Sequence, residues 1–170
     1  MKSEGASETR IRDIQPGDFP AIRRVARETW AVTYRGIVPE SAQDEFVRRA
    51  YSEESLARRM KGGVFLVAEL NDEVIGFADF YSDSGEARLA AIYVLPNGQG
   101  RGIGTRLLRM GISRFPADMR ITLRVERDNH PARRFYEARG FQETGEFTED
   151  FFGHEMREVE MVRLPPETSG

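Results

Sequence analysis

The spacing of apolar residues predicts helices in the first part of the chain. Over Asp18–Tyr34, apolar side chains recur at intervals of three and four residues, which is the period of an amphipathic helix. A second segment with this period covers Pro39–Met60 and is interrupted near Ser52. Before both, Thr9–Ile14 alternates between polar and apolar residues, as a short, half-buried strand does. The chain is therefore expected to begin with a strand that is followed by helices.

The pattern changes to that of strands in the middle of the chain. Val64–Leu70 and Val74–Tyr81 are rich in Val, Ile and Phe, and the Asn71-Asp72 pair between them predicts a tight turn. Ser82–Gly85 predicts a four-residue turn into a third strand, Glu86–Leu95. These three segments predict an antiparallel meander.

Helices and strands alternate in the remainder of the chain. The predicted elements are a helix with Ile103, Leu107 and Met110 on one face, a strand at Ile121–Val125, a helix from Pro131 to Gly140 with His130 as its cap, and two strands, one from Phe141 and one over about Glu155–Leu164. A helix that joins two strands of one sheet makes a parallel crossover. The order of elements predicts an α/β (α+β) fold, with a mixed, mostly antiparallel central sheet flanked by helices.

Composition narrows the class of protein. The chain has 170 residues, which predicts a single domain over residues 9–164 with flexible tails at 1–8 and 165–170. Its 25 basic and 28 acidic residues give a net charge of −3, which argues against a nucleic-acid-binding protein. Because there is no cysteine and there are only two histidines, no metal site is predicted. No apolar run reaches membrane-spanning length and the N-terminus lacks a hydrophobic signal core, so a cytoplasmic location without membrane contact is expected.

A glycine-rich loop carries the clearest chemical signal. It runs from Gln99 to Gly104, follows an apolar strand and opens a helix whose first turn contains no acidic residue. The first N–H groups of a helix have no partners within it and bind anions, so the loop predicts a phosphate site beside Arg101 and Arg106.

Two other phosphate-binding motifs do not match this loop. A P-loop ends in Gly-Lys-Ser/Thr, and no lysine is present here. A dinucleotide site has G-x-G-x-x-G after the first strand of a βαβ series, whereas this loop reads G-x-G-x-G-x-G and comes late in the chain. The remaining alternative is a glycine turn that only packs.

The same residues resemble a known family. Gln99-Gly100-Arg101-Gly102-Ile103-Gly104 is similar to the Q/R-x-x-G-x-G/A signature of the GNAT-superfamily N-acetyltransferases. Ile92–Pro96 resembles the fourth strand of that superfamily. The superfamily's second cofactor segment is matched by Arg124-Val125, followed by Asn129, Ala132, Phe135-Tyr136 and Gly140-Phe141. The matches cover about Glu86–Phe141, and the resemblance implies the GNAT fold.

The resemblance also implies acetyl-CoA as the cofactor. The backbone of the glycine loop would hold the pyrophosphate, and the fourth strand would pair with the pantetheine arm, which Asn129 reaches from the other side. The implied cofactor-binding residues are Ile92, Tyr93, Val94, Gln99, Gly100, Arg101, Gly102, Ile103, Gly104, Thr105, Asn129, Ala132 and Tyr136.

In this superfamily the acetyl group passes directly to an amine through a tetrahedral intermediate. The resemblance assigns stabilisation of the oxyanion to the Val94 N–H and protonation of the leaving thiolate to Tyr136, although Tyr136 would also serve as a core aromatic. Many members carry a glutamate base six residues before the valine, where this chain has Arg88. Glu86, acting through a water, and Asp79 are the candidate bases. If the hairpin turn has four residues, Asp79 lies opposite Arg88, where an ordinary cross-strand charge pair would explain both.

The acceptor is the least specific part of the prediction. Trp30–Pro39 resembles a segment of a bacterial group of polyamine and amino-acid N-acetyltransferases, which implies that Trp30 and Tyr34 bind the acceptor, although core packing would explain them equally. Arg88 would suit an acceptor carboxylate and favours an amino acid. The expected function is acetylation of a primary amine of a small molecule by a monomer or homodimer. Acetylation of a protein lysine or N-terminal amine, and acyl-CoA sensing without turnover, remain alternatives.

Overall fold

Residues 8–167, which the computed structural model describes, form strands and helices in the predicted order. The strands are β1 (Thr9–Asp13), β2 (Val64–Leu70), β3 (Glu73–Asp83), β4 (Glu86–Val94), β5 (Ile121–Glu126), β6 (Gln142–Phe151) and β7 (His154–Arg163). The helices are α1 (Phe19–Thr33), α2 (Glu40–Ala50), α3 (Glu53–Gly62), α4 (Ile103–Ser113) and α5 (His130–Glu137), with short 3-10 turns at Pro16–Asp18 and Pro96–Gly98. The domain limits of 9–164 stay a prediction, because most of the first proposed tail and half of the second lie outside the described residues.

The strands of the described region make one mixed sheet. Their order is β1-β2-β3-β4-β5-β7-β6. Every neighbouring pair is antiparallel except β4 and β5, which are parallel and are joined by α4. The predicted α/β class, with a mostly antiparallel sheet and one parallel crossover, is confirmed.

The turn between β3 and β4 is shorter than predicted. Ser84 and Gly85 alone form it, and their φ angles are 52° and 82°. Positive φ at both positions is typical of a type I′ hairpin turn, whose backbone twist matches that of the flanking strands. As a result Tyr81 lies opposite Arg88, and the predicted pairing of Asp79 with Arg88 is wrong.

A β-bulge in β4 coincides with the end of the β4–β5 ladder. Asp79 pairs with Ala91 while Phe80 pairs with Leu89, so Ala90 is the extra residue on β4. The parallel ladder joins 87–89 to 121–123 only, whereas β4 continues to Val94 and β5 to Glu126. The carboxyl ends of β4 and β5 therefore border a cleft, which is where open α/β sheets bind ligands.

Different helices cover the two faces of the sheet. Asp79 contacts Arg59 of α3, whereas the next residue, Phe80, lies against Gly111 of α4, because successive side chains of a strand point to opposite faces. α1 lies on the α3 face, where Trp30 bonds to Tyr93 of β4. α5 lies beside α4, with its Phe135 ring against Gly104. The cleft is therefore open to the α1 side and to the α4–α5 side.

The buried face of α4 differs from the prediction at one position. Ile103, Leu107, Leu108 and Gly111 are buried, whereas Met110 is exposed. The missing side chain of Gly111 leaves room for the Phe80 ring, since a Cβ at Gly111 would lie 2.0 Å from Phe80 Cε2. Close packing of α4 on the sheet therefore depends on a glycine.

Gly111→Ala is expected to lower the free energy of unfolding by about 1–3 kcal/mol, because overpacking at Phe80 outweighs the higher helix propensity of alanine. Chemical denaturation measures the change. Gly62→Ala is the matched control, because a Cβ there meets nothing within 4 Å, and it should be neutral or slightly stabilising. Equal stability of the two variants would contradict the packing account.

Candidate active site

The glycine-rich loop forms a tight connection from β4 to α4. Gly100 and Gly102 have φ angles of 78° and 73°, which disfavour residues with a Cβ. A Cβ at either position would meet no atom within 4 Å, so there is space beside the loop backbone. α4 begins at Ile103 without a side-chain cap and without an acidic residue in its first turn. Its first N–H groups are therefore available to an anion.

The sequence prediction missed one of the cations near this loop. Arg139, just after α5, lines a cavity of about 450 Å³ together with the glycine loop. We call this cavity the loop cavity. The guanidinium of Arg139 donates to Thr105 Oγ1 at 2.6 Å and lies 3.7 Å over the Phe135 ring. Arg106, by contrast, donates to the carbonyl of Thr9 on β1. No local motif marks Arg139, because only the folded chain brings α5 beside α4.

The free edge of β4 presents backbone groups to the cleft. Leu95 donates its N–H to the Ile75 carbonyl on β3 at 2.8 Å. Because consecutive N–H groups of a strand point to opposite sides, those of Val94 and Ile92 point towards the cleft. The Val94 carbonyl on the same side accepts a hydrogen bond from the Gln99 amide at 3.1 Å. This edge can pair with an extended ligand.

Residues from α5 line the opposite wall of the cleft. Asn129 Oδ1 accepts from the Ala132 N–H at 3.3 Å, so Asn129 caps the helix and the prediction of His130 as the cap is wrong. Tyr136 is 9% exposed and lines both the loop cavity and an adjoining cavity on the α1 side. Burial, reinforced by Tyr34, raises the pKa of Tyr136, so the phenol keeps its proton at neutral pH.

The family follows from comparison with known proteins. A model described as the acetyltransferase (GNAT) family matches residues 20–141. The chain belongs to the GNAT family. It is 29% identical over 140 residues to a spermidine N(1)-acetyltransferase of Thermoplasma acidophilum, with 78% of this chain and 87% of that protein covered. It is 31% identical over 145 residues to the probable N-acetyltransferase Rv2775 of Mycobacterium tuberculosis, with 82% and 83% covered.

A similar solved structure contains the cofactor expected for a GNAT protein. The PaiA N-acetyltransferase of Thermoplasma acidophilum, in complex with coenzyme A, superimposes with a TM-score of 0.76 at 26% identity, covering 92% of this chain and 99% of that one. The chain is an acetyl-CoA-dependent acyltransferase, and acetyl-CoA is its cofactor. The uncapped α4 terminus and the unpaired β4 edge fit the phosphates and the amide-bearing arm of such a ligand.

The GNAT cleft continues into a cavity of about 440 Å³ on the α1 side of the sheet, which we call the α1 cavity. Trp30 and Tyr34 line it with Phe46 and Phe151. The Trp30 ring lies 4.3 Å from the Tyr34 ring and 5.5 Å from the Phe151 ring, and its Nε1 donates to the Tyr93 hydroxyl at 2.7 Å. Trp30 and Tyr34 thus form a cavity wall and also pack into an aromatic cluster.

Three glutamates that the sequence analysis did not single out line the α1 cavity, namely Glu126, Glu149 and Glu158. Arg124 is the only basic residue of the described chain that lines it, and its guanidinium lies 4.1 Å over the Phe147 ring. Burial raises the pKa of Glu126 and Glu158, and Glu149 raises that of Glu158 further. Their sequence signal is weak, because charged residues at alternate strand positions also occur on solvated faces.

Glu86 and Arg88 lie away from the α1 cavity. Glu86 is 3.5 Å from Arg120 and 4.0 Å from Arg88, and Arg88 is 3.4 Å from Asp83. Neither Glu86 nor Arg88 lines the α1 cavity. Both precede the bulge, at the end of β4 that is paired with β5, so their proposed roles stay predictions that this placement does not favour.

Asp79 faces α3 instead of the α1 cavity. Its carboxylate accepts from Arg59 at 2.7 Å, and its side chain is 3% exposed. Arg59 also donates to the Ala50 carbonyl and lies 4.8 Å over the Tyr51 ring. The ion pair between Asp79 and Arg59 therefore connects α3 to the sheet. The position of Asp79 gives no support for its predicted role as a base, which stays a prediction.

Two further observations concern the described residues as a whole. Within 8–167, no three His, Asp or Glu side chains are arranged to hold a metal ion. The helices of the same region include none that is both long and apolar enough to cross a membrane.

Proposed function

We propose that this GNAT enzyme acetylates a primary amine of a small di- or polyamine. The observation that supports this acceptor is the α1 cavity, which presents three carboxylates, one arginine and aromatic walls beside the cleft. Partly buried carboxylates need a counter-cation. The nitrogen that is acetylated loses its charge, so a second ammonium on the acceptor keeps the cavity neutralised throughout the reaction. Aromatic faces add a further attraction for cations.

The relatives support the same class of acceptor. One of them is named a spermidine N(1)-acetyltransferase. The residue that favoured an amino acid, Arg88, is close to Asp83 and does not line the α1 cavity, which weakens the support for an acceptor carboxylate.

The cofactor-binding residues have separate tasks in this proposal. The first N–H groups of α4 and the loop at 99–105 bind the pyrophosphate, with Arg139 nearby. The backbone of 92–94 pairs with the pantetheine arm, and Asn129 and Ala132 contact it from α5. Bound acetyl-CoA would supply an acetyl thioester, from which the amine would displace the coenzyme A thiolate.

The reacting groups lie where the two cavities meet. The Val94 N–H, which points into the cleft, stabilises the negative charge that develops on the carbonyl oxygen. Tyr136, protonated at neutral pH, donates its proton to the leaving thiolate. Trp30 and Tyr34 hold the acceptor in the α1 cavity.

Thiol release is expected to be faster with diaminobutane and spermidine than with butylamine, by at least about tenfold in kcat/KM, because one extra ammonium–carboxylate bond contributes about 1.5 kcal/mol or more. A thiol reagent measures this cleanly, since the chain itself has no cysteine. Mass spectrometry identifies the acetylated product.

Amino acids and lysine peptides serve as comparison acceptors in the same assay. A preference for a free amino acid would contradict the polyamine assignment, and a preference for a peptide would favour a protein acceptor. Saturable acetyl-CoA binding without turnover of any amine would overturn the proposed function.

A further inference from the structure

The three glutamates of the α1 cavity lie on three neighbouring strands. Glu126 is on β5, which borders the cleft, Glu158 lies directly opposite it on β7, and Glu149 is on the edge strand β6. Neighbouring strands are about 4.8 Å apart. Glu126 is therefore the carboxylate closest to the cleft, and the other two lie one and two strands farther away.

The backbone holds the Glu126 carboxylate in a fixed orientation. Glu126 Oε2 accepts from the Asp128 N–H at 2.7 Å, and the residue is 7% exposed. The same turn positions Asn129, whose N–H bonds to the Glu126 carbonyl at 3.0 Å. A carboxylate bonded to a backbone N–H through one oxygen presents its other oxygen in a defined direction. Glu126 is thus pre-organised beside the end of the cleft where α5 begins.

We propose that Glu126 removes the proton from the attacking ammonium. It shares the α1 cavity with Tyr136 and with the cleft-facing residues of β4, whereas the two bases suggested by the sequence lie outside this cavity. The proposal rests on the proposed function only in that the acceptor is an amine. Glu158 and Glu149 lie farther from the cleft and bind the distal ammonium groups of the acceptor.

The proton and electron balance of this step is complete. One proton passes from the ammonium to the Glu126 carboxylate, and the freed nitrogen lone pair forms the bond to the acetyl carbonyl carbon. The C–S bond breaks with its electron pair on sulfur, which takes the phenol proton of Tyr136. The second nitrogen proton then returns to the Tyr136 oxygen, and the Glu126 carboxyl releases its proton to solvent.

The surroundings of Glu126 raise the pKa of its carboxyl above that of an ordinary glutamate. The ionisable groups around it are Tyr34 from α1, Glu158 from β7, Glu149 from β6, Arg124 on its own strand, and Arg127 and Asp128 in the next turn. Burial is the largest influence on the pKa of Glu126 and raises it, and the negative charge of the Asp128 carboxylate adds to the rise. The backbone N–H groups of Asp128 and Asn129 and the positive charge of Arg127 lower this pKa and offset part of the rise. A higher pKa makes a carboxylate a better proton acceptor, as long as it remains ionised at the working pH.

The test compares kcat/KM against pH for the wild type and Glu126→Gln, at saturating acetyl-CoA and with a diamine. In the wild type, kcat/KM should fall as the pH drops through the Glu126 pKa, because a protonated carboxyl accepts no proton. Glu126→Gln should lose about 100-fold or more at neutral pH and lack this limb, its rate rising instead with the fraction of free amine. The difference in kcat/KM between Glu126→Gln and the wild type should be smaller with a difluorinated diaminopropane, because its less basic amines need less help to lose a proton.

Two matched variants separate this role from a general loss of negative charge. Glu160→Gln, on the same face of β7 but outside the α1 cavity, should behave like the wild type. Glu158→Gln should raise KM for the diamine and keep the acidic limb. Calorimetry should show unchanged coenzyme A affinity for Glu126→Gln, and carboxyl carbon NMR of the free protein should show Glu126 titrating above an ordinary glutamate.

The outcomes distinguish this inference from the proposed function. The inference is overturned if Glu126→Gln keeps both the wild-type kcat/KM and its fall at low pH. If Glu86→Gln loses that fall instead, Glu86 is the base. Turnover of butylamine as fast as diaminobutane overturns the polyamine acceptor while the Glu126 test still stands. Absence of turnover with every amine overturns both.

Discussion

Tyr136→Phe is expected to lower kcat by about 10²- to 10³-fold with little change in acetyl-CoA affinity. The substitution removes only the phenol O–H, so the thiolate must leave without a proton while the ring still fills its buried position between the two cavities. Because burial raises the pKa of Tyr136, the wild-type phenol remains protonated through neutral pH, and the loss should be similar across that range. Steady-state thiol release measures kcat, and calorimetry measures the affinity.

Tyr81→Phe is the matched control for the loss of a phenol. Tyr81 lies on β3, is exposed and does not line the α1 cavity, so its variant should turn over at the wild-type rate. If Tyr136→Phe also retained the wild-type kcat, Tyr136 would be a core aromatic and another group would protonate the thiolate.

Gly102→Glu is expected to weaken coenzyme A binding by at least about 100-fold, because a carboxylate beside the pyrophosphate adds a repulsion of a few kcal/mol at short range. The new side chain has space, since a Cβ at Gly102 meets nothing within 4 Å, so the change acts on the ligand more than on packing. Calorimetric titration with coenzyme A, repeated at two salt concentrations, measures the effect. The deficit should shrink at high salt, where exposed charges are screened.

Gly102→Ala separates charge from backbone strain. Gly102 has a φ of 73°, so alanine there adds the strain of a left-handed conformation, about 1–2 kcal/mol, without adding charge. The alanine variant should lose some thermal stability and retain most of its coenzyme A affinity. A glutamate variant that bound coenzyme A as tightly as the alanine variant would show that the phosphates lie elsewhere.

The hairpin between β3 and β4 shows where prediction from sequence stops. Turn residues at Ser82–Gly85 correctly located the reversal, because glycine and serine mark turns locally. The length of the loop decides which residues face each other, and a two-residue turn together with a bulge at Ala90 moved Asp79 away from Arg88. Ser82–Gly85 as a group of turn residues fits either a two- or a four-residue loop, and the bulge shows only once β4 is paired with β3.

The three glutamates of the α1 cavity could not be predicted from sequence, because their proximity also depends on how strands pair. Glu149 and Glu158 lie on the two strands of one hairpin, whereas Glu126 lies on β5 more than twenty residues earlier, and each looks like an ordinary surface charge on its own strand. Their common cavity exists because β7 lies between β5 and β6 in the sheet. Arg139 beside the glycine loop has the same origin, since α5 must pack against α4 before it reaches Thr105.

Sequence by itself determined the order of elements, the fold class and a glycine loop that can hold an anion, because hydrophobic period, turn residues and an uncapped helix start are local properties of the chain. The tertiary structure decided which carboxylates line the α1 cavity, through the register of β3 on β4, the separation of β4 from β5 and the order of the last three strands. Strand order and register depend on pairing and packing across the whole sheet, which no single segment specifies. The set of carboxylates that lines the α1 cavity is therefore a property of the assembled fold.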